Sequence, residues 1–405
     1  MVLPEKATAP LAALQVLDLA NESACFCSRL LADMGARVVK IEKPGGDASR
    51  WSGPFWGNTP HPEKSLNFWY NNTSKLGITL NLESSKGQDI FLRLARRADV
   101  IVETFPPGYL KNLGLNYEVL NEQNPGLIFA SVTGFGQSGP YRLYKSCDLV
   151  ASALGGQMYV SGTPETPPIK PCGQQSYYAA SLFAAMGILV ALCERHHSGK
   201  GQHIDISLQE AVAATLEHVM VRYFYENIVS GRQGNLHWTN SSCLLQCQDG
   251  YILLTFDREW ETLIDLLDNE DMAADLKEER WCEEDYRRQH ADHIIEVLTS
   301  WTRTHTTGDL FEIGQLMRFP WAPVCSIEEA FHSPQLRARD FFVPVEHPDA
   351  GWFFTYPGTP TKLSDSSWQI RSRAPLIGEY NTQVYHDELG LTFEELARLA
   401  AEKVI

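Results

Sequence analysis

An almost uninterrupted apolar stretch runs from Tyr178 to Cys193 and constrains the fold more than any other part of the chain. A helix over these residues carries apolar side chains on every face, so it has to be buried inside a large domain or between subunits. Its first backbone N–H groups are unpaired and lie at the positive end of the helix dipole, which suits a carboxylate or a phosphate. The positions where the helix begins, Gln174 to Tyr178, contain no acidic residue.

A chain of 405 residues with 44% hydrophobic and 21% charged residues is long enough for two folded domains. Its formal net charge of −16 argues against nucleic acid or an acidic membrane as the main partner, because both repel an acidic surface. A small anionic ligand in a local basic pocket is compatible with this charge.

The 9 cysteines are scattered and include no CxxC pair, so no metal site is expected. Reduced thiols fit a cytoplasmic protein. The first residues of the chain lack the basic and apolar segments of a signal peptide. Apolar runs such as Ala184 to Cys193 are shorter than the roughly 20 residues of a membrane span, so no membrane association is expected.

Strands and helices alternate over the first part of the chain. Apolar runs typical of strands occur at residues 14–18, 37–44, 77–82, 99–105 and 126–135, and helical patterns at residues 25–34, 85–97 and 117–123. This alternation predicts a doubly wound α/β domain with a parallel sheet. The ligand crevice of such a domain lies at the carboxyl ends of the strands.

The pattern changes after Glu226. Residues 243–256 (CLLQCQDGYILLTF) indicate a hairpin with its turn at Asp249 and Gly250, and acidic helices follow up to Thr304. We therefore predict a large domain that begins with residues 1–226 and a small α+β domain over residues 227–323. Residues 324–405 are predicted to return to the large domain, because their short strands do not form a core alone.

Residues 134–139 (GFGQSG) match the GxGxxG pattern of dinucleotide-binding loops and follow a predicted strand. Pro140 and the turn-rich residues after it do not begin the helix that a pyrophosphate needs. The glycines are therefore predicted to shape a loop at the mouth of the crevice, and a nicotinamide site is not expected.

Polar and basic residues near the predicted strand ends are candidates for ligand binding. They are Asn21, Ser23, Lys43, Arg50, Lys75 and Lys145. Each alone is ordinarily a surface residue, but their shared placement around one crevice of an acidic protein predicts a phosphate or carboxylate site. Asp148 is expected to cap the short helix that follows it, with an acid or base role in the crevice as the alternative.

Motifs along nearly the whole chain resemble the class III CoA-transferase family, which includes formyl-CoA and carnitine CoA-transferases and the related α-methylacyl-CoA racemases. They are LLADMGARVVKIEKPGGD, NNTSKLGITLNL, ADVIVETFPPG, NPGLIFASVTGFGQSGP, AAMGILVALCERHHSGKGQHIDISLQEA and PLIGEYN. The resemblance implies a Rossmann-like large domain built from both chain ends, a small central domain, and a dimer of two interlocked chains. Interlocked chains would also bury the apolar helix.

The resemblance also implies a mechanism. In this family an aspartate at the start of the long helix attacks the thioester and carries the acyl group as an anhydride, before CoA passes to the second acid. Aligning the helix through residues 184–188 places this aspartate at Tyr177, or at Ser176 or Gln175 if the loop is shifted. None of these side chains can form a carboxyl anhydride.

Other family positions differ as well. The Ala-Gly-Pro stretch that admits the CoA chain reads Ala24-Cys25-Phe26 here, and the arginine that often precedes Pro-Gly is Pro106. The His-Asp pair of the racemases is incomplete because Cys147 precedes Asp148. A racemase is therefore disfavoured.

Three functional hypotheses follow. The first is a non-catalytic subunit of a heteromeric CoA-transferase whose homologous partner supplies the aspartate, as in the two-subunit succinyl-CoA:benzylsuccinate type of aromatic catabolism. The second is a self-sufficient enzyme that uses Asp148, and the third is a CoA-thioester binding protein without chemistry. The CoA thioester is expected as a substrate, with no permanently bound cofactor. Packing in the core is expected for each of five aromatic residues, and an aromatic pocket lined by them is the alternative: Trp51, Phe55, Trp56, Phe68 and Trp69.

Overall fold

The computed structural model describes residues 9–236, 241–257 and 259–405, so the segment on which the signal-peptide prediction depends lies largely outside the described residues. The chain divides into two compact units. The first comprises residues 1–157, 170–228 and 337–405, and the second comprises residues 158–169 and 229–336. The second unit includes residues 158–169, whereas the sequence prediction placed the small domain at residues 227–323 alone, and Gly234 N donates to Gly162 O at 2.9 Å within this unit.

A six-stranded parallel sheet forms the centre of the first unit. Its strands are β1 (Gln15–Leu19), β2 (Arg37–Glu42), β3 (Leu76–Thr79), β4 (Val100–Glu103), β5 (Ile128–Thr133) and β6 (His203–Ser207). They pair in the order β3-β2-β1-β4-β5-β6. Nearly every residue of β1 to β5 is buried, as in sheets with both faces covered. The predicted doubly wound α/β fold is confirmed.

Helices cover both faces of this sheet. The helices of this part of the chain are α1 (Cys25–Asp33), α2 (Leu66–Asn71), α3 (Ser85–Ala95), α4 (Tyr109–Asn112), α5 (Tyr117–Gln123), α6 (Asp148–Leu154), α7 (Gln175–Ser198), α8 (Leu208–Ala214) and α9 (His218–Glu226). Helices α1, α6, α7 and α8 contribute to the core on one face of the sheet, and α3, α4 and α5 contribute to the core on the other. Alternate strand residues point to opposite faces, so Val16 packs in the core with α1, α7 and α8, and Leu17 packs in the core with α3.

Helix α7 is only half buried within this chain. Its buried side is narrow and consists mainly of small residues, and it includes Ala180, Ala184 and Ile188. Leu182, Met186 and Val190 on its other side are 48%, 51% and 68% exposed. By length and composition this 24-residue helix could cross a membrane, which the sequence analysis overlooked because the helix begins before the apolar run. The sequence predicts burial of α7 on every face, but within this chain only one side of the helix is buried.

The second unit contains a small antiparallel sheet and helices. Its elements are β7 (Ser242–Gln246), β8 (Tyr251–Thr255), α10 (Trp260–Asp268), α11 (Glu284–Gln289), α12 (Ala291–Thr302), α13 (Thr307–Leu316), β9 (Ala322–Pro323) and α14 (Ile327–His332). Strands β7 and β8 form the predicted hairpin, with Gln246 opposite Tyr251. Cys243 and Cys247 are free, and within the described ranges no cluster of His, Cys, Asp or Glu side chains could hold a metal ion.

The last part of the chain lies in the first unit. After α15 (Pro334–Ala338), it forms the hairpin of β10 (Phe342–His347) and β11 (Trp352–Pro357), a π-helical turn (Thr382–Glu388) and α16 (Phe393–Ala401). Tyr380 N donates to Gly77 O at 2.9 Å, and the Tyr385 hydroxyl donates to Thr79 O at 2.6 Å. These hydrogen bonds attach the tail to the edge strand β3.

Candidate functional site

The strand order of the large sheet reverses between β1 and β4, which lie side by side although β2 and β3 intervene in the chain. Loops diverge at such a point and leave a crevice at the carboxyl ends of the strands. Asn21 after β1 and Thr104, Phe105 and Pro106 after β4 line two neighbouring clefts there. They are called the first cleft and the second cleft below.

The first cleft has a volume of about 580 Å³ and lies at the ends of β1 to β4. Apolar side chains, including Leu19, Ile41 and Leu80, form much of its lining. Two exposed lysines, Lys43 and Lys403, also line it, and neither makes an ion pair within the part of the chain that the structure describes. The cleft therefore combines apolar side chains and two lysines with the carboxyl groups of Glu42, Asp47 and Glu83.

The second cleft has a volume of about 320 Å³ and adjoins the first through the loop after β4. It is lined by the turn after β1, the end of β5, residues 142–147 and Tyr177 of α7. Arg142 and Lys145 contribute exposed cationic side chains. This cleft is the one that reaches the beginning of the long apolar helix.

The first turn of α7 contains no acidic residue, but Asp148 supplies a carboxylate to it. Asp148 Oδ1 accepts hydrogen bonds from the Ser176 backbone N at 3.1 Å and from Ser176 Oγ at 2.7 Å. Lys170 Nζ lies 3.1 Å from Asp148 Oδ2. The prediction that Asp148 caps the helix following it is wrong, because its side chain instead occupies the anion position at the start of α7.

Tyr177 occupies the position that the family resemblance implies for the nucleophile. Its side chain lines the second cleft and is 8% exposed. Burial raises the pKa of the Tyr177 phenol to about 12, and the Glu22 carboxylate adds to this increase. The hydroxyl is therefore protonated near neutral pH. The alternative positions are also engaged, because Ser176 Oγ donates to Asp148 and Gln175 Nε2 donates to Cys172 O.

Four of the six predicted binding residues line the clefts. Asn21 borders both clefts, Lys43 borders the first, and Ser23 and Lys145 border the second. Asn21 Oδ1 accepts hydrogen bonds from Ser23 N at 2.9 Å and from Ser23 Oγ at 2.7 Å, which fixes the turn after β1. A ligand-binding role for these four residues stays a prediction.

Arg50 borders neither cleft, so its predicted role in ligand binding is corrected. Its side chain is 1% exposed, and its guanidinium donates to Glu42 Oε2 and Glu63 Oε2 at 2.7 Å and to Pro375 O at 2.9 Å. It also lies over the Phe68 ring at 3.9 Å. The donors are used within the protein, which makes Arg50 a link between β2 and the returning tail.

Lys75 is corrected in the same way. It is fully buried, and its Nζ donates to Asp18 Oδ2, Cys25 O and Asn72 Oδ1, each at 2.8 Å, which uses all three of its protons. Lys40 Nζ lies 4.0 Å from the other Asp18 oxygen. Burial alone would raise the pKa of Asp18, but Lys40 and Lys75 outweigh it and hold the pKa below its usual value. The group is a buried ion network beneath the crevice.

The glycine-rich loop at residues 134–139 binds a carboxylate of the protein itself. Gln137 N donates to Asp205 Oδ1 at 3.0 Å and to Oδ2 at 2.9 Å. Gly136 has a φ of +81°, and a Cβ at this position would lie 3.4 Å from Asp205 Oδ2. Helix α6 begins only at Asp148, so the loop does not lead directly into a helix as a pyrophosphate-binding loop does.

None of the five aromatic residues considered for an aromatic pocket borders either cleft. Phe68 and Trp69 are buried in a small core with Val345 and Tyr356. The aromatic rings of the second cleft are instead Phe105, Tyr144 and Tyr177. Sequence reasoning overlooked Arg142 and Tyr144, since they lie in a turn-rich segment without a recognised motif.

Glu103, at the end of β4, is a buried carboxyl that the sequence analysis did not single out. Burial raises the pKa of Glu103 to about 7, against the hydrogen bonds from Ser131 and from Phe105 N, and Asp205 adds to the increase. Phe105 N donates to Glu103 Oε2 at 2.6 Å. The carboxyl therefore holds the loop that separates the two clefts, and it titrates near neutral pH.

We expect Glu103→Gln to change the pH dependence of stability. The folded-state pKa of Glu103 lies above the ordinary glutamate value of 4.5, so the stability that this group contributes is present below pH 4.5 and lost as the pH rises through about 7. The unfolding free energy of Glu103→Gln relative to the parent should therefore increase by about 2.5 kcal/mol between pH 5 and pH 8. Urea unfolding across this range measures it. Glu118→Gln, which removes a group with a lowered pKa, should not show this increase.

Comparisons with known proteins agree with this architecture. The model of CoA-transferase family III matches residues 11–381. The chain is 32% identical over 379 residues to the succinyl-CoA:(R)-benzylsuccinate CoA-transferase subunit BbsE of Thauera aromatica, covering 91% of this chain and 92% of that protein. It is 32% identical over 408 residues to the succinyl-CoA–L-malate CoA-transferase beta subunit of Chloroflexus aurantiacus, covering 98% of each.

The fold is similar to that of a solved relative. The crystal structure of a CAIB/BAIF family protein from Brucella suis matches with a TM-score of 0.83 at 29% identity, covering 94% of this chain and 99% of that chain. The family match spans most of the chain, and the sequence relatives are matched over nearly their whole length. The chain therefore belongs to CoA-transferase family III.

Proposed function

We propose that this chain is the non-catalytic subunit of a heteromeric CoA-transferase, which moves CoA from an acyl-CoA such as succinyl-CoA to a free carboxylic acid. A homologous partner chain supplies the nucleophilic aspartate. The observation that carries this proposal is the start of α7, where Gln175, Ser176 and Tyr177 stand in place of an acid. The protonated phenol of Tyr177 cannot form the acyl anhydride that the family resemblance implies.

The two relatives described above support a multi-subunit enzyme. Each is named as a subunit, one of a benzylsuccinate transferase and the other of a malate transferase. We infer the same organisation here. Because the acid substrates of these relatives differ, their names alone do not indicate which acid this chain serves.

The exposed side of α7 supports a partner chain. Leu182, Met186 and Val190 form a row of apolar side chains at helical spacing, and the described residues leave about half or more of each exposed. Phe224 and Tyr225 on α9 are 72% and 86% exposed. Apolar surfaces of this kind mark protein interfaces. We propose that the homologous subunit covers them in an interlocked dimer.

We assign the CoA thioester to the first cleft. Its apolar residues suit the pantetheine chain, and Lys43 and Lys403 offer positive charge to phosphate groups. Of the carboxyl groups in the lining, Glu42 is paired with Arg50 and Asp47 accepts a hydrogen bond from Ser49 N, whereas Glu83 makes no ion pair among the described residues. The thioester is a substrate, and no permanently bound cofactor is proposed. The 9 cysteines are free thiols, which supports a cytoplasmic enzyme.

A second candidate is a self-sufficient transferase in which Asp148 carries the acyl group. Its carboxylate lies at the start of α7, where a nucleophile would benefit from the helix dipole. However, Asp148 is 6% exposed, and it is bound by Ser176 and Lys170. We therefore rank this candidate second. A CoA-thioester binding protein without chemistry ranks third.

The test compares the purified chain with a co-expressed pair of this chain and a homologue carrying aspartate at the start of its long helix. We expect succinyl-CoA-dependent transfer only by the pair, with hydroxylamine trapping the acyl group on the homologue. Robust transfer by the chain alone would contradict the proposal. If Asp148→Ala then abolished that transfer in a folded protein, the second candidate would be supported. CoA-thioester binding without transfer by any pair would support the third.

A further inference from the structure

The second cleft combines two available cations with little opposing charge. Arg142 and Lys145 line it, and neither makes an ion pair within the described parts of the chain. Among the described residues that line the cleft, Glu22 is the only carboxylate, and its Oε2 accepts a hydrogen bond from Ser52 Oγ at 2.9 Å. In a chain with a net charge of −16, two uncompensated cations in one cleft indicate an anionic ligand.

Aromatic rings in the same cleft are held in place by neighbouring rings. Tyr144 is 63% exposed, yet its ring stacks on Tyr141 at 4.9 Å with an interplanar angle of 24°. Phe135 lies edge-on to Tyr144 at 6.4 Å. Phe105, on the loop after β4, stacks on Tyr109 at 4.6 Å. Rings fixed in this way lose little conformational entropy when a flat ligand packs on them.

The position of the cleft fits the second substrate of a transferase. Tyr177, at the position that the family resemblance implies for the nucleophile, lines it. A volume of about 320 Å³ lies at the small end of ligand sites, below that of the first cleft. A small acid fits this space, and the larger CoA molecule fits the first cleft.

We propose that the second cleft binds an aryl-substituted carboxylate as the acid substrate. The carboxylate pairs with Arg142 and Lys145, and the aryl ring packs against Tyr144 and Phe105. This inference rests on the proposed function and adds the class of acid to it. Phosphate groups of CoA are the rival anion for the same two cations, and the experiment below separates the two.

The test is calorimetric binding to the purified protein in its native assembly, with variants made in this chain only. The probes are 3-phenylpropanoate and hexanoate, two monocarboxylates of which only the first has an aromatic ring. We expect 3-phenylpropanoate to bind at least tenfold more tightly than hexanoate. Tyr144→Leu should reduce this ratio to below threefold. The double change Arg142→Gln and Lys145→Gln should weaken binding of both probes at least tenfold.

Lys43→Gln in the first cleft is the matched control and should leave binding of both carboxylates unchanged. Circular dichroism confirms that each variant is folded. Equal affinity for the two probes would overturn the inference. It would also be overturned if the double variant lost affinity for succinyl-CoA but kept its affinity for 3-phenylpropanoate, because the cations would then serve the CoA phosphates. These results do not depend on which chain carries the nucleophile, so they remain informative if the proposed heteromer is wrong.

Discussion

A Tyr177→Asp variant should become acylated by succinyl-CoA, whereas the parent chain should stay unlabelled. The new carboxylate would lie at the start of α7, where the helix dipole stabilises an anion by up to about 2 kcal/mol. It would also face the second cleft, which Tyr177 lines. Because Asp148 is already paired with Lys170, repulsion between the two carboxylates is reduced. After hydroxylamine treatment, mass spectrometry should detect at least tenfold more hydroxamate at residue 177 than in the parent.

Two further variants give this experiment its controls. Tyr177→Asn has nearly the same shape as Tyr177→Asp but cannot form an anhydride, so it should stay unlabelled. Gln175→Asp tests the shifted alignment of the loop. Labelling of Gln175→Asp but not of Tyr177→Asp would indicate that residue 175, and not residue 177, is the position equivalent to the family's aspartate. Labelling of the parent chain would contradict the proposal that this subunit lacks a nucleophile.

Lys75→Met should cost about 3–5 kcal/mol of unfolding free energy, which is the usual range when one partner of a buried ion pair is removed. The change leaves the Asp18 carboxylate fully buried with Lys40 4.0 Å away, and it removes the donor to Cys25 O and Asn72 Oδ1. Chemical denaturation measures the loss. Adding Asp18→Asn to Lys75→Met should not recover it, because the buried Lys40 ammonium would then lose the carboxylate that lies beside it.

Lys43→Met is the matched control for Lys75→Met. Lys43 is exposed and makes no ion pair within the described residues, so its replacement should change stability by less than about 0.5 kcal/mol. If Lys75→Met left stability unchanged but weakened succinyl-CoA binding, the original prediction that Lys75 binds ligand would be restored.

The strands and helices of the first unit could be predicted because their signals are local. Continuous apolar runs bounded by glycine and charged residues mark β1, β2, β4 and β5 in the sequence as clearly as in the structure. The crevice between β1 and β4 also follows from the alternation of strands and helices. The division into units was less accessible, since residues 158–169 contain no feature that shows their pairing with residues 232–234.

The candidate site was predicted less completely. Local sequence patterns do not show where a side chain points, or which residue distant in the sequence it pairs with. Arg50 follows β2 and Lys75 directly precedes β3, but both side chains point inward, Arg50 to Glu42 and Lys75 to Asp18. Asp148 stands at a helix start, yet its carboxylate serves a different helix. Position along the chain predicts which end of the sheet a residue occupies. It does not predict whether that residue faces the ligand or the core.

The position of the Asp148 carboxylate bears on whether α7 needs an acidic residue of its own. Because the start of α7 receives its counter-charge from α6, the helix does not need an acid in its first turn to be stable. Folding and nucleophilic catalysis thus depend on different residues. A duplicated copy of such a protein is free to lose its nucleophile and still assemble, which opens a simple evolutionary route from a symmetric enzyme to one with specialised halves.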